Sequence, residues 1–258
     1  MNLNPKVSII TATFNSDKTL EKSMLSVLSQ SYSNIEYIII DGQSKDKTVD
    51  IIKKYESKIN FWSSESDKGI YDAWNKGLNK ASGDWILFLG SDDFLVDNCL
   101  NNYVAFLESN QVDNCLLVSS KLNLIDSNGN YLRTMGWPWK WDKFQKINML
   151  AHPGALHSKK LFEKYGMFDI NYNICGDYEL LLRPGEKLNA LFFNEITVLM
   201  TEGGASYNPK LFFEHRRACI NTGNLNKLTA NYYFLLQFVK TYIKNAFKKI
   251  GINLFLRK

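Results

Sequence analysis

The sequence predicts an α/β fold: a central, mostly parallel sheet with helices on both faces and further helices at the C-terminus. Three observations predict it. Through the first hundred residues, short apolar segments alternate with segments of helical periodicity, the pattern of successive βαβ units. The strand-like segments are apolar at nearly every position rather than at every second one, which suits strands covered on both faces. Each runs into a polar cluster at its carboxyl end, where open α/β sheets bind their ligands.

Taken in order, residues 7–11 (Val-Ser-Ile-Ile-Thr) read as a buried strand. Residues 17–30 follow with Leu20, Met24, Val27 and Leu28 at helical spacing. Residues 36–40 give the next strand, which stops at Asp41-Gly42. Asp46 reads as the N-cap of a helix to about Tyr55, with Val49, Ile52 and Tyr55 on one face. A third strand at 59–63, a third helix at 70–81 and a fourth strand at 85–89 complete this half. The four strand ends carry Thr11-Ala12-Thr13-Phe14-Asn15, Asp41-Gly42-Gln43-Ser44, Asp67-Lys68-Gly69 and Ser91-Asp92-Asp93. Separate segments therefore deliver acids, hydroxyls and amides to one rim.

The second half is less regular. A strand is expected at 116–125, followed by a hairpin-type turn, Asp126-Ser127-Asn128-Gly129. Trp137, Trp139 and Trp141 fall in a loop. Then come His152-Pro153-Gly154, a short helix at 158–165, a helix from Gly176 to about Leu188, and a strand at 191–200 ending in Glu202-Gly203-Gly204.

Composition narrows the function classes. With 45% hydrophobic and 22% charged residues in 258, the chain has a globular composition and ample material for a core. Cys99, Cys115, Cys175 and Cys219 form no CxxC pair, which argues against a zinc ribbon or a dithiol redox motif and for free thiols in a reducing compartment. No apolar signal-peptide core is expected near Met1, and no apolar run approaches the ~20 residues that span a bilayer. The net charge of +5 is an average of unlike parts. All 26 acidic residues lie at or before Glu214, with 22 of the 31 basic ones, and the remaining nine basic residues follow it. A −4 body thus precedes a +9 tail.

Single motifs leave alternatives open. Asp92-Asp93 after an apolar strand suits a hard divalent cation bridging to a diphosphate, or a solvated turn, or the cap of a helix near Asp97. Asp41 and Asp67 are each compatible with simple turn or capping roles. Together they carry more. Residues 7–15 (Val-Ser-Ile-Ile-Thr-Ala-Thr-Phe-Asn), 38–48 (Ile-Ile-Ile-Asp-Gly-Gln-Ser-Lys-Asp-Lys-Thr), 64–77 (Ser-Glu-Ser-Asp-Lys-Gly-Ile-Tyr-Asp-Ala-Trp-Asn-Lys-Gly) and 81–93 (Ala-Ser-Gly-Asp-Trp-Ile-Leu-Phe-Leu-Gly-Ser-Asp-Asp) resemble family 2 glycosyltransferases of the GT-A fold. The 67–77 version is similar to the branch that builds bacterial capsule, exopolysaccharide and O-antigen chains. The match is close over residues 6–100 and looser to about 204.

The resemblance implies a Rossmann-like GT-A catalytic domain over 1–204. Residues 1–100 would bind the nucleotide sugar and 101–204 the acceptor, with a basic helical extension over 205–258. Thr11, Thr13, Asn15 and Asp41 would hold the nucleotide. Asp67, Asn75 and Lys76 would flank the ribose and diphosphate. Asp93 would ligate Mn2+ or Mg2+, and Asp92 the metal or the ribose. The motif begins with Ser91 where relatives carry a carboxylate. Asp177 aligns with the catalytic base at a helix start, with Gly176 in place of the usual Glu; Glu179 is the reserve. The implied reaction is displacement with inversion at the anomeric carbon of a nucleoside-diphosphate sugar, UDP by default. The acceptor would be a glycan or a polyprenyl-diphosphate-linked chain.

Four residues have weaker expectations. His152 would face the acceptor, the diphosphate or the metal, or serve the core. Arg183 would face the diphosphate or an internal ion pair. Trp137 and Trp139 would stack on sugars, or pack their loop onto the core, as would Trp141. In the tail, residues 232–250 predict an amphipathic helix with Leu235, Val239, Ile243, Ala246 and Ile250 on one face and Lys240, Lys244 and Lys248 on another, followed by Leu254, Phe255 and Leu256. Such a helix suits an anionic membrane surface, placing the protein peripherally on the inner face of the cytoplasmic membrane. Packing on the body is the plainer alternative. A nucleic-acid partner is not expected, since no recognition motif accompanies the basic tail. Two rivals remain: a non-catalytic sugar-nucleotide or glycan-binding protein of the same fold, and a nucleotidyltransferase. The second would need a Gly-rich basic loop after the first strand, where this chain has Thr-Ala-Thr-Phe-Asn.

Overall fold

Nine strands form one sheet among the described residues, which are 4–110, 112–204 and 207–249 of a computed structural model. The first half runs β1 (Val7–Thr13), α1 (Leu20–Leu28), β2 (Ile35–Asp41), α2 (Thr48–Lys54), β3 (Phe61–Ser64), α3 (Ile70–Leu78) and β4 (Trp85–Gly90). The second runs β5 (Phe94–Leu95), α4 (Cys99–Ser109), β6 (Leu117–Ile125), β7 (Tyr131–Met135), α5 (Trp141–Phe144), β8 (Leu156–Ser158), α6 (Lys159–Tyr165), α7 (Gly176–Leu182), β9 (Ala190–Thr201), α8 (Lys210–Asn221) and α9 (Lys227–Lys249). The strand order is β3-β2-β1-β4-β8-β6-β9-β5, with β7 beside β6.

Strands β3, β2, β1 and β4 are mutually parallel, and β6 and β9 are parallel to each other. The three-residue β8 joins these halves and is antiparallel to both β4 and β6. The expected Asp126–Gly129 turn connects the β6–β7 hairpin.

The unbroken apolar strands are explained by burial on both faces. In β1, Ile10 enters one core with Ile38, Ile86, Phe88, Trp74 of α3 and Leu180 of α7. Its neighbours Val7 and Ile9 enter the other core, with Ile39, Leu87, Met24 of α1 and Leu100 of α4. Alternate residues of one strand thus serve opposite layers, each large aliphatic side chain contributing about 1.5–3 kcal/mol.

Departures from the sequence expectations have local causes. The helix expected to reach Leu188 ends at Leu182, because Pro184 follows and Gly185 adopts φ +58°. Strands β5 and β8 and helix α5 are two to four residues long, too short for periodicity to show. The core also runs past residue 204. Ala218, Cys219, Leu225 and Ala230 are buried in the same cluster as the β1–β4 residues, so α8 and the start of α9 pack as part of the body. All four cysteines are buried free thiols.

Candidate active site

The parallel register brings the first three strand ends to one rim: Thr13 pairs with Asp41 and Asp41 with Ser64, while Ala12 pairs with Gly90. The loops beyond are tied together. The Asn15 side chain accepts from Lys45 N at 2.8 Å, and Ser44 Oγ accepts from Asn15 N at 2.7 Å. Ser16 and Ser91 hydroxyls meet at 2.9 Å.

Asp41 is fully buried. Its carboxylate accepts from Ser44 N and Ser44 Oγ, and from Ser64 Oγ at 2.6 Å. These donors place it within the site wall, and contact with a nucleobase would require one of the serines to yield. Thr11 departs from the nucleotide role expected of it. It is wholly buried on the α1 side of the sheet, 3.3 Å from the Tyr37 hydroxyl and two residues short of the strand end. Thr13 is buried with no hydrogen-bond partner for its hydroxyl, an orphaned donor at the rim. Asn15 and Asp67 remain there too. Asp67 accepts from Gly69 N at 2.9 Å, and its Oδ2 lies 2.7 Å from where a Cβ on Gly42 would sit. The same spot adjoins the Phe14 ring, which is 62% exposed. An exposed aromatic beside Asp67 is a rim feature that periodicity could not reveal.

Asn75 and Lys76 depart from their expected places. Asn75 Nδ2 donates to Phe168 O at 2.9 Å and its Oδ1 accepts from Phe168 N at 3.0 Å. That two-way bond fastens α3 to the 168 loop. Lys76 turns back to Ser66 O and Glu65, because a helix residue reaches the turn N-terminal to it.

Asp92 and Asp93 converge on Gly90. A Cβ there would lie 2.8 Å from Asp93 Oδ2 and 3.0 Å from Asp92 Oδ1, so glycine is what lets the carboxylates close in. Asp93 is 6% exposed and accepts from Thr201 N at 3.1 Å, while Thr201 Oγ1 donates to Asp92 O. The end of β9 therefore pins the motif. Burial, with Asp92 adding like charge, pushes the Asp93 carboxyl up to about 7; burial raises Asp92 as well. Two adjoining hard oxygen donors that resist ionisation together fit a divalent cation, which would relieve that cost. Among the described residues no group of three His, Cys, Asp or Glu could hold a metal. Asp93 and Asp92 could supply two ligands, the remaining positions going to diphosphate and water as is common for such ions.

Asp177 lies in the first turn of α7 and accepts from the Tyr71 hydroxyl of α3 at 3.0 Å. Burial raises its pKa, opposed by hydrogen bonds from Tyr178 N and Tyr71, while Glu214 adds to the rise. Gly176 has a steric reason to be glycine. A Cβ there would come within 2.8–2.9 Å of three Tyr71 ring atoms, so the glycine and the tyrosine that serves Asp177 are one packing solution. Glu179 points away, as two residues along a helix should. It is bound by Arg183 and by Thr222 Oγ1 at 2.9 Å. That pairing removes the reserve base. It also removes Arg183 from the diphosphate, since Arg183 Nη1 further donates to Tyr165 O and Met167 O.

Of the readings left open for His152, the structure takes the one that serves the core. The residue is 7% exposed, with its ring 5.1 Å from Trp74, 5.6 Å from Phe88 and 4.9 Å from His157. Burial lowers its pKa to about 3, so it is a neutral member of an aromatic core. Trp139 packs its loop inward, 4.4 Å from Phe144 and 6.3 Å from Trp141, while Trp137 is 39% exposed. Of the tail residues expected on the apolar face of α9, Leu235, Val239 and Ile243 are 58%, 51% and 40% exposed. The helix docks instead through Phe234 and Phe238 against Phe213 and Phe212 of α8. Ile250, Leu254, Phe255 and Leu256 lie outside the described residues. No helix among the described residues is long and apolar enough to cross a membrane.

Sequence reasoning missed Ser44, Ser64, Tyr71, Thr201 and Glu214, whose roles arise from contacts 3 to 109 positions apart along the chain.

Comparison with known proteins agrees with this architecture. The chain is 33% identical over 187 residues to an uncharacterized glycosyltransferase of Mycobacterium tuberculosis, covering 71% of this chain and 70% of that one. It is 27% identical over 183 residues to a PGL/p-HBAD biosynthesis glycosyltransferase of Mycobacterium bovis, covering 69% of each. It is 35% identical to an uncharacterized glycosyltransferase of Haemophilus influenzae over 136 residues, about half the length of either protein (52% and 53%). Among solved structures, S. aureus TarS superposes with a TM-score of 0.68 at 20% identity, over 91% of this chain and 43% of TarS. A TarS 1–349 structure with UDP-GlcNAc gives 0.65 at 18% identity, over 94% and 73%. The mannosyltransferase PcManGT of Pyrobaculum calidifontis, with GDP-Man and Mn2+, gives 0.62 at 15%, over 89% and 70%. These neighbours share the GT-A fold. The model of glycosyl transferase family 2 matches residues 8–166, well over half of the chain, and the chain therefore belongs to the family 2 glycosyltransferases.

Proposed function

We propose that the chain transfers a sugar, with inversion, from a nucleoside-diphosphate sugar to a hydroxyl of a glycan or polyprenyl-diphosphate-linked acceptor in surface-polysaccharide assembly. The observation that carries this reading is a pair of carboxylate centres, one at the end of β4 and one at the start of α7. On one side Asp92 and Asp93 sit at the end of β4. On the other, Asp177 opens α7 with its proton affinity raised by burial and held in place by Tyr71. Donor-bound relatives of this fold, with UDP-GlcNAc in one case and GDP-Man with Mn2+ in another, support a nucleotide-sugar partner, UDP being favoured.

Asp177 accepts the proton of the acceptor hydroxyl, whose oxygen bonds to the anomeric carbon as the bond to the diphosphate breaks. The raised proton affinity strengthens Asp177 as a base, and Tyr71 fixes its direction. Mn2+ or Mg2+ held by Asp93 and Asp92 would supply neutralisation of the departing diphosphate. The rim residues Thr13, Asn15 and Asp67, with Phe14 beside them, would orient the nucleotide. The domain reading follows the same lines, 1–100 for the donor and 101–204 for the acceptor, with a basic helical extension over 205–258 of which α8 and the start of α9 pack on the body. Asp177→Asn tests the assignment: transfer should fall by about 10²–10⁴-fold while donor binding by calorimetry is kept. Near-normal turnover would refute it.

The exposed face of α9 supports attachment to an anionic membrane surface on the cytoplasmic side. Leu228, Tyr232, Leu235, Val239 and Tyr242 are 84%, 60%, 58%, 51% and 72% exposed and recur at alternating spacings of four and three. The charged residues of that helix are all lysines, so like charge opposes pairing of two such helices and favours anionic lipid.

A further inference from the structure

Helix α8 reaches the loop that carries Asp177 with one carboxylate. Glu214 accepts from Asn173 N at 3.0 and 3.1 Å through its two oxygens, from Ile174 N at 2.8 Å and from Cys175 N at 3.0 Å. Three successive backbone N–H groups thus close around a single anion, a nest-like cradle. The same loop is held from the other side by α3, since the Tyr71 hydroxyl meets both Ile174 O at 2.8 Å and Asp177 Oδ1 at 3.0 Å. Asp177 begins two residues beyond this double clamp.

Charge-assisted bonds are about twice as strong as neutral ones, so three of them hold the 173–175 backbone firmly. The cost is a second carboxylate facing a base that burial already makes reluctant to ionise, and Glu214 adds to that reluctance. The other charged and titratable groups nearby are engaged elsewhere. Arg217 of α8 lies 3.9 Å over the Tyr172 ring and donates to Asn171 O. Arg183 is paired with Glu179. The Cys175 thiol, raised by burial, faces Leu211 O. Tyr71, raised well above its ordinary value by burial, stays a neutral donor.

Building on the reading of Asp177 as the base, we propose that Glu214 is its positioning residue: it fixes the 173–175 loop so that Asp177 meets the acceptor hydroxyl. The C-terminal helical segment is then part of the catalytic apparatus, and the acceptor chemistry depends on α8.

The test uses the full chain with Glu214→Gln and Glu214→Asp, read by kcat, donor KM, donor binding and the pH dependence of kcat. Glu214→Gln keeps the size but loses the charge. We expect kcat to fall on the order of 10- to 100-fold, as a misplaced catalytic group does, with donor KM and donor binding changed less than about two-fold. The acid limb should move to lower pH, because removing a neighbouring negative charge lowers the Asp177 pKa. Glu214→Asp, too short for the full cradle, should keep the acid limb at its wild-type position while kcat still falls. A Glu214→Gln variant with unaltered kcat and acid limb overturns the proposal. So does one that loses donor binding in step with kcat, which would mark a purely structural role. Asp177→Asn measured alongside separates the two ideas: normal transfer by that variant refutes the base, independently of the Glu214 result.

Discussion

Asp93→Asn gives a stability experiment with a definite sign. In the metal-free protein, burial and the charge of Asp92 lift the Asp93 carboxyl from 3.8 to about 7. The native state then holds a proton that the unfolded chain releases near pH 4. Between about pH 4 and 7 the native state binds more protons, so the contribution of Asp93 to stability falls as pH rises and levels off above 7. A difference of about 3 units corresponds to about 4 kcal/mol at pH 8. Asparagine removes that cost and retains an oxygen for Thr201 N, now 3.1 Å from Asp93 Oδ1. Its amide N–H₂ introduces donors that cost about 1–3 kcal/mol if unpaired. The net gain at pH 8 should be about 2 kcal/mol, or roughly 5 °C in Tm for a domain this size. At pH 4.5, where the native carboxyl is protonated and only about 1 kcal/mol of its cost remains, the amide donors should outweigh it and the variant should be less stable by about 1 kcal/mol. Thermal denaturation in chelator at pH 4.5, 6 and 8 measures this. Mn2+ should then stabilise wild type at pH 8 by binding the native state and leave Asp93→Asn unmoved. A wild-type-minus-variant difference that is constant with pH would refute the reasoning, and equal Mn2+ shifts in both proteins would refute the metal assignment.

Other perturbations test the remaining contacts. Gly176→Ala should destabilise the protein by about 1–3 kcal/mol and lower kcat, because its Cβ would meet the Tyr71 ring within 2.9 Å; urea unfolding and turnover measured together check this. Arg183→Met should cost about 3 kcal/mol by leaving Glu179 buried without its cation, with donor affinity unchanged in calorimetry. Phe14→Ala should raise donor KM several-fold with little change in unfolding midpoint, since an exposed ring contributes little to the core. Leu235→Ser with Tyr242→Ser, both at exposed sites on α9, should reduce flotation with anionic liposomes; unaltered flotation would remove that face from membrane binding.

Much of the fold was legible because the signal is local. Apolar strands, helical spacing in Leu20, Met24 and Val27, and polar strand ends required only neighbouring residues to read. The resemblance marked Asp93 and Asp177; the first is buried just past the end of β4 and the second is half-buried at the start of α7. Elsewhere the sequence left two readings open, as for Arg183 and His152, or misplaced a residue, as for Asn75, and long-range contacts decided. Arg183 and Glu179 look like free charges until the 165–167 segment and Thr222 fold against them. His152 looks like a ligand until Trp74 and Phe88 close around it. Asn75 looks like a polar site residue until the Phe168 backbone takes both ends of its amide.

By itself the sequence determined the alternation of strands and helices, the rim at the strand ends, the family and the separation of an acidic body from a basic tail. Each follows from short spacings or from counting charge along the chain. Only the tertiary structure decided which carboxylates remain available for chemistry. That depends on the donors brought to each one: serines consume Asp41, an arginine consumes Glu179, a nest of N–H groups consumes Glu214. Asp93 and Asp177 keep raised proton affinities, because burial costs them more than their few partners return.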